Sequence, residues 1–358
     1  MHLLDIEDLK IHFKTQDGWV EAVDGISFHL DEGETLGLVG ESGCGKTTTA
    51  YAITQLLPKN AYVKGGKIFF KGKELLKFIK SDGTIDLFNV HIRNLRWSDI
   101  SIIFQGAMDA FNPVYKVGKQ IEEAMLVHPK ALLKLADKDI KADGRYKSKE
   151  LKKIARKRVE ELFQIVGIGK DRIDNYPHEY SGGMKQRALI AMALALNPSL
   201  VIADEPTTAV DVVTQYRILG EIKKIEKEYK MAMIIISHDI STVAEIADRM
   251  AVMYAGRLAE VAKTLDLFKD PKHPYTAGLI NAIPTIEGDK ESLIKRLKSI
   301  PGSPPPLIDP PKGCRFHTRC EYKKEGICDE VVPEATDVDI DHLVWCHKSK
   351  AEREGNEW

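Results

Sequence analysis

The chain has 358 residues, with 52 Lys plus Arg against 53 Asp plus Glu; the formal charge of −1 excludes a whole-molecule attraction to nucleic acid or anionic lipid. With 43% hydrophobic and 29% charged residues it is neither a disordered nor a fibrous sequence, and at about 150 residues per domain it is long enough for two or three cored domains. The longest unbroken apolar run, Ala188 to Leu196, is nine residues against the roughly 20 of a membrane span. Asp5, Glu7 and Asp8 leave no apolar core for a secretory signal near the start, so a cytoplasmic protein is expected.

Residues 1–39 alternate apolar and polar positions, with Ile11, Phe13, Val20, Ala22, Ile26, Phe28 and Leu30 forming the apolar set. This predicts several antiparallel strands. Leu36 to Val39 predicts a short buried strand that delivers the chain into Gly40-Glu41-Ser42-Gly43-Cys44-Gly45-Lys46-Thr47, followed by a helix through Tyr51 to Leu57. More strands are predicted from Lys67-Ile68-Phe69-Phe70 to the run ending at Phe104. Leu151, Ile154, Val159, Leu162 and Val166 recur at amphipathic-helix spacing. The basic stretch Lys138 to Arg158 reads as a solvated insertion, because no aromatic residues interleave to stack on nucleic-acid bases. From 186 to 240 the pattern is helix, strand, helix, strand. The continuous apolar runs Leu200 to Ala203 and Met233 to Ile236 are those of parallel strands covered on both faces. Pro301 to Pro311 predicts a stiff connector separating this body from a cysteine-bearing tail, and the charged residues 351–358 predict a frayed end.

Gly40 to Thr47 fits G-x-x-x-x-G-K-[ST] in full, between a predicted strand and a predicted helix. In such a loop successive backbone N–H groups cradle phosphates, the helix presents its positive end, Lys46 reaches the β- and γ-phosphates, and the Thr47 hydroxyl binds Mg²⁺. Thr48 extends the same turn, and Cys44 reads as a small space-filler rather than a redox group. Leu200-Val201-Ile202-Ala203-Asp204-Glu205 ends a strand in two carboxylates. Asp204 is placed to hold Mg²⁺ through water and Glu205 to polarise an attacking water.

Between these motifs lies Tyr180-Ser181-Gly182-Gly183-Met184-Lys185-Gln186-Arg187, which in that position resembles the signature motif of ABC-type ATPases. Gln105 resembles the Q-loop glutamine, Thr208-Ala209-Val210-Asp211 the D-loop, and His238 the switch histidine. Phe13 resembles the aromatic residue that stacks on adenine, with Trp19 as its rival and a core aromatic as the plainer reading of either. The stretch Phe104 to Pro113, the segments His273 to Leu279 and Ile300 to Pro306, and Gly313 to Cys320 are similar to the oligopeptide/dipeptide-permease ATP-binding subunits. The lysine-rich segment from about 130 to 152 departs from that pattern.

The resemblance implies an α/β P-loop fold of the ABC type, with a mixed sheet core, an antiparallel β subdomain and a helical subdomain. The nucleotide-binding domain is expected over 1–260, its helical subdomain over about 106–190, and a C-terminal extension over 261–350, with 351–358 as a tail. It implies an ATPase that works with Mg²⁺, to which Thr47, Gln105 and Asp204 contribute, at the cytoplasmic face of the membrane. The expected partners are a second, related ATPase subunit, two permease subunits and, indirectly, a solute-binding protein, but no nucleic acid. Ser181, Gly182 and Gly183 are expected to face the γ-phosphate held on the partner's loop, with Glu205, His238 and Gln105 at the hydrolytic centre. Cargo stays open among peptides, nickel chelates and oligosaccharides. A soluble ABC-type ATPase without membrane partners is the alternative, and a redox sensor with vestigial nucleotide binding is disfavoured by the intact motifs.

Cys314, Cys320, Cys328 and Cys346 follow C-x₅-C-x₇-C-x₁₇-C, matching neither the zinc-ribbon nor the bacterial ferredoxin spacing. A tail this short needs a staple. The residues leave open a [4Fe–4S] cluster, Zn²⁺ (with His317, His342 or His347 able to substitute) or two disulfides. The family resemblance implies the [4Fe–4S] cluster, in a structural role.

Overall fold

The computed structural model describes residues 2–86, 89–106, 110–138, 147–206, 212–283 and 300–358. In chain order the elements are β1 (Leu4–Lys14), β2 (Trp19–Leu30), β3 (Thr35–Val39), α1 (Lys46–Ile53), β4 (Ala61–Phe70), β5 (Lys73–Glu74), α2 (Val90–Leu95), β6 (Ile100–Ile103), α3 (Val117–Leu126), α4 (Pro129–Leu135), α5 (Ser148–Ile165) and α6 (Gly182–Ala193). They continue with β7 (Leu200–Asp204), α7 (Val212–Tyr229), β8 (Ala232–Ser237), α8 (Ile240–Ala244), β9 (Arg249–Tyr254), β10 (Arg257–Lys263), α9 (Thr264–Lys269), α10 (Pro274–Asn281), β11 (Thr336–Asp339), β12 (His342–Val344) and α11 (His347–Arg353). Two units divide them. One comprises Met1–Leu30, Thr35–Asp86 and Ser237–Trp358, the other Asp31–Glu34 and Leu87–Ile236.

In the first unit the alternating N-terminal segments form an antiparallel sheet ordered β2-β1-β4-β5. In β1, Leu4 and Ile6 are buried at period-two spacing, and after an irregularity at Asp8 (φ +44°) the alternation resumes with Leu9 and Ile11. A mixed sheet runs β11-β12-β10-β9-β3, with β3 and β9 parallel and the remaining neighbours antiparallel. Every residue of β3 is buried. Gly37 lets α8 sit directly on it, since a Cβ there would lie 2.3 Å from Cγ1 of Val243. The helix after the glycine-rich loop stops earlier than its sequence pattern predicts. It ends at Ile53, and Gln55 turns the chain with φ +55°.

The cysteine segment is built into this unit. β12 pairs with β10 through Glu260↔Val344 and Val261↔Leu343. The fully buried Glu260 accepts from the backbone N–H groups of Lys272 and His273 at 2.8 and 2.9 Å, and His342 Nε2 lies 2.6 Å from it. The proline-rich connector is no free spacer: Glu21 N donates to Leu307 O at 2.9 Å and Ile308 bridges to Val20. Nor is the end frayed. Trp358 Nε1 donates to Tyr322 O at 2.9 Å, and the Lys324 ammonium lies 5.1 Å from the Trp358 ring centroid. The charge in residues 351–358 had hidden this anchor.

In the second unit β6, β7 and β8 are parallel, with Ile100↔Leu200 and Leu200↔Ala232 in register. The apolar stripe of α5 is Ala155, Val159, Leu162 and Phe163. Arg158 shares that face because its guanidinium meets the carbonyls of Ala195 and Leu194, at 3.3 and 3.5 Å, where α6 ends; a cation there suits the helix dipole. Lys138, Lys149, Lys152, Lys153 and Lys157 are exposed, the solvated face predicted for this stretch; its residues 139–146 lie outside the described residues.

Candidate functional site

The glycine-rich loop leaves β3 at Val39 and enters α1 at Lys46. Gly40 and Gly45 are demanded by close packing: a Cβ would fall 2.1 Å from Met253 O at the first and 2.3 Å from Ala22 O at the second. A Cβ at Gly43 would meet nothing within 4 Å. Lys46, only 6% exposed, donates from Nζ to Gly40 O at 2.7 Å and Glu41 O at 3.0 Å. It thus lies along the loop it is expected to complete. α1 has neither a side-chain cap nor an acidic residue in its first turn, so no carboxylate of its own offsets the positive helix end. Ser42 is exposed, and Thr47 and Thr48 are half-buried at this helix start. Cys44 is buried, its thiol pushed up by that burial, and its carbonyl accepts from Gly256 N at 3.0 Å. These are the traits of a packing residue.

Phe13 is half-buried on β1, opposite Val20 and Ala61. Trp19 is 39% exposed, edge-on to Tyr62, with the Lys64 ammonium 3.8 Å from its ring centroid. Exposed His238 follows β8 directly, and Asp239 behind it caps α8 by accepting from Ser241 N and Thr242 N.

In the second unit the ends of β6 and β7 bring two expected residues together: Gln105 Nε2 donates to Glu205 Oε2 at 2.7 Å. Asp204, the last residue of β7, is fully buried. Glu205 turns the chain with φ +48°, and its N–H donates to Ile236 O at 2.9 Å. Ser181 is the N-cap of α6: its Oγ accepts from Met184 N at 3.3 Å while the residue stays exposed, and Gly182 and Gly183 open the helix. Asp211 and the rest of the predicted D-loop lie outside the described residues, as do 107–109 of the extended Q-loop. The sequence reading missed Gln186, a buried residue of α6 whose amide donates to Pro206 O, directly after Glu205. It lies within the motif at residues 180–187, but no role was assigned to it there. Thr47 of the first unit, and Gln105 and Asp204 of the second, each carry an oxygen of the kind Mg²⁺ prefers.

The four C-terminal thiols are all free. They line one small cavity with Phe316 and Tyr322, and Cys314 N donates to Cys328 O at 2.8 Å. Burial, reinforced by the neighbouring thiols, pushes Cys314 up to about 12 and Cys320 to about 11. Cys328 is buried and Cys314, Cys320 and Cys346 are half-buried.

Residues 23–208 match the family model described as ABC transporter, and residues 259–328 that of the oligopeptide/dipeptide transporter, C-terminal region. The chain is 45% identical over 323 residues to the oligopeptide transport ATP-binding protein OppD of Bacillus subtilis (strain 168), covering 89% of this chain and 82% of that one. It is 41% identical over 355 residues to the dipeptide transport ATP-binding protein DppD of the same organism, covering 98% and 96%. Among solved structures, the dimeric structure of MJ0796, a bacterial ABC transporter cassette, superposes with a TM-score of 0.58 at 22% identity, covering 73% of this chain and 98% of that one. For cbiO1 from Clostridium perfringens, part of the ABC transporter complex cbiONQ, the values are 0.57, 24%, 75% and 91%. At these identities the structural likeness establishes the fold alone, and it is the α/β P-loop fold that the resemblance implied. Among the described residues no helix is long and apolar enough to cross a membrane.

Proposed function

Because the chain belongs to the ABC transporter ATP-binding proteins, and among them to the oligopeptide/dipeptide type, we propose that it hydrolyses ATP to energise the import of peptides through separate membrane-spanning subunits. The observation that carries this reading is a complete phosphate loop whose lysine already lies along it, 2.7 Å from Gly40 O. The Gln105–Glu205 contact at 2.7 Å supports it.

In this mechanism the loop N–H groups and the α1 N-terminus bind the phosphate tail, and Lys46 turns from its loop carbonyls to the β- and γ-phosphates. Phe13 stacks on the adenine. Thr47, Gln105 and Asp204 would hold Mg²⁺, which neutralises charge on the phosphates. Glu205 orients a water and draws its proton; the water oxygen bonds to the γ-phosphorus as the bond to the ADP oxygen breaks, releasing ADP and phosphate. Gln105 holds Glu205 in place, and His238 holds the γ-phosphate. Ser181, Gly182 and Gly183 complete the site on a partner's loop, with Asp211 at the junction, so that ATP joins two cassettes. The partner is a related second cassette, and the pair sits peripherally on two permease subunits at the cytoplasmic face of the membrane, fed by a solute-binding protein. Cys314, Cys320, Cys328 and Cys346 would hold a [4Fe–4S] cluster that staples the tail.

Reconstituted with its permease subunits in proteoliposomes, the protein is expected to consume ATP in step with peptide uptake. ATP turnover coupled instead to a nickel chelate or an oligosaccharide would replace the cargo, and absence of ATP turnover would refute the reading. Anaerobically purified protein is expected to contain iron and acid-labile sulfide; zinc alone, or no metal, would refute the cluster.

A further inference from the structure

Two arginines in the cysteine segment sit beside thiols in sequence: Arg315 follows Cys314, and Arg319 precedes Cys320. Both side chains are buried, at 2% and 5% exposure, and both reach away from the cysteines toward the glycine-rich loop. Arg319 forms a two-pronged pair with Glu41, the second residue of that loop: Nη1 donates to Oε2 at 2.7 Å and Nη2 to Oε1 at 3.1 Å. Nη1 also donates to Tyr254 Oη at 3.2 Å, and Nε to Pro301 O at 2.7 Å, which fixes the plane of the fork. Burial opposes the Arg319 cation, but the Glu41 and Tyr254 hydrogen bonds overcome it and hold its pKa above the ordinary value. Glu41 is in turn held by its backbone. Its N–H donates to the buried Tyr275 Oη at 3.0 Å, and its carbonyl is one of the two that receive Lys46 Nζ.

Arg315 anchors the other side of the loop. It pairs with Glu21 and with Asp24, the latter at 2.8 Å, and donates to Ala255 O. The next residue, Gly256, donates to Cys44 O, and Ala22 O is the atom against which Gly45 packs. The paired arginines therefore grip the first variable residue of the loop and the two segments on which its second half rests. A bidentate guanidinium–carboxylate pair fixes direction as well as distance.

We propose that Arg319 is a positioning residue of the nucleotide site, with Arg315 as its second anchor. Arg319 holds Glu41 so that the loop amides and the carbonyls under Lys46 are set before nucleotide arrives. This makes the cysteine segment a working part of the ATP site instead of an appendage. The inference rests on the ATP-binding reading of the loop.

The test uses the full chain, with MgATP and MgADP titrated calorimetrically and steady-state hydrolysis measured in the assembled transporter. Arg319→Met is expected to weaken MgATP binding and raise KM about tenfold while kcat stays within about twofold, because the lost interaction presets binding and touches no reacting atom. Arg319→Lys, which keeps the charge but not the fork, is expected to recover part of the loss. Glu41→Gln leaves the cysteine segment untouched and is expected to show the same loss even if Arg319→Met does not fold. The double variant is expected to be no worse than either single one. Unchanged MgATP affinity in Glu41→Gln and Arg319→Lys, or losses that add in the double variant, would overturn the proposal. A wild-type chain that binds no MgATP would overturn the nucleotide reading and this inference with it.

Discussion

Gln105 and Glu205 are 100 residues apart in sequence and meet at 2.7 Å, because the parallel strands carrying them end side by side. Each was identifiable beforehand as a polar residue just past an apolar strand. Gln186, which donates to Pro206 O next to Glu205, stood inside the motif at residues 180–187, but the motif did not disclose that its amide is buried and turned to that carbonyl. Replacing Gln105 with Ala removes the donor to Glu205 and is expected to slow hydrolysis about tenfold or more; an unchanged turnover number would show that the contact is idle. Ser181→Arg places a cation and extra bulk at the exposed cap of α6. It is expected to leave ATP binding by the isolated subunit intact and to abolish ATP-dependent pairing, read by light scattering. Loss of ATP affinity in the isolated subunit would contradict the assignment of Ser181 to a partner's nucleotide.

At the level of elements, β3 was legible as a buried apolar run, but α8, the helix lying on it, and the contact that sets their distance were not. It depends on Gly37, where any Cβ would fall 2.3 Å from Val243. Gly37→Ala is expected to lower stability by about 1–3 kcal/mol through overpacking, measured by denaturant unfolding; a neutral result would mean that α8 shifts freely. The start of α8 hangs on Asp239, which accepts from the backbone and hydroxyls of Ser241 and Thr242. Burial raises the Asp239 pKa, but these hydrogen bonds outweigh it and hold it below the ordinary 3.8. A depressed carboxyl stabilises the fold fully above its unfolded value. That stabilisation fades as pH falls from about 3.8 through the lower folded value. Asp239→Ala is expected to cost about 1 kcal/mol at neutral pH and less in acid. A cost that grows on acidification would contradict the cap.

On the scale of the whole chain, the motifs disclosed the ATPase body, because phosphate chemistry requires particular residues at short spacings. Long-range pairings left no such trace. Arg319 and Glu41 lie 278 positions apart, and β12 joins β10 across a proline-rich stretch that reads as a spacer. Charge misled in one place: the acidic and basic end of the chain looked unanchored, while its last residue, Trp358, is tied to Tyr322. The cysteine spacing pointed to a bound group without specifying which. The four free thiols all lie in the first unit, where they line one small cavity.

The central claim is that ATP bound on one cassette is completed by the signature serine of another and hydrolysed with Glu205. Its most direct test measures ATP affinity, turnover and oligomeric state together in wild type and Glu205→Gln. The account predicts that the variant binds MgATP like wild type, hydrolyses it at least about a hundredfold more slowly, and accumulates as closed pairs. Wild-type turnover by Glu205→Gln, or full-rate hydrolysis by an isolated monomer, would contradict it.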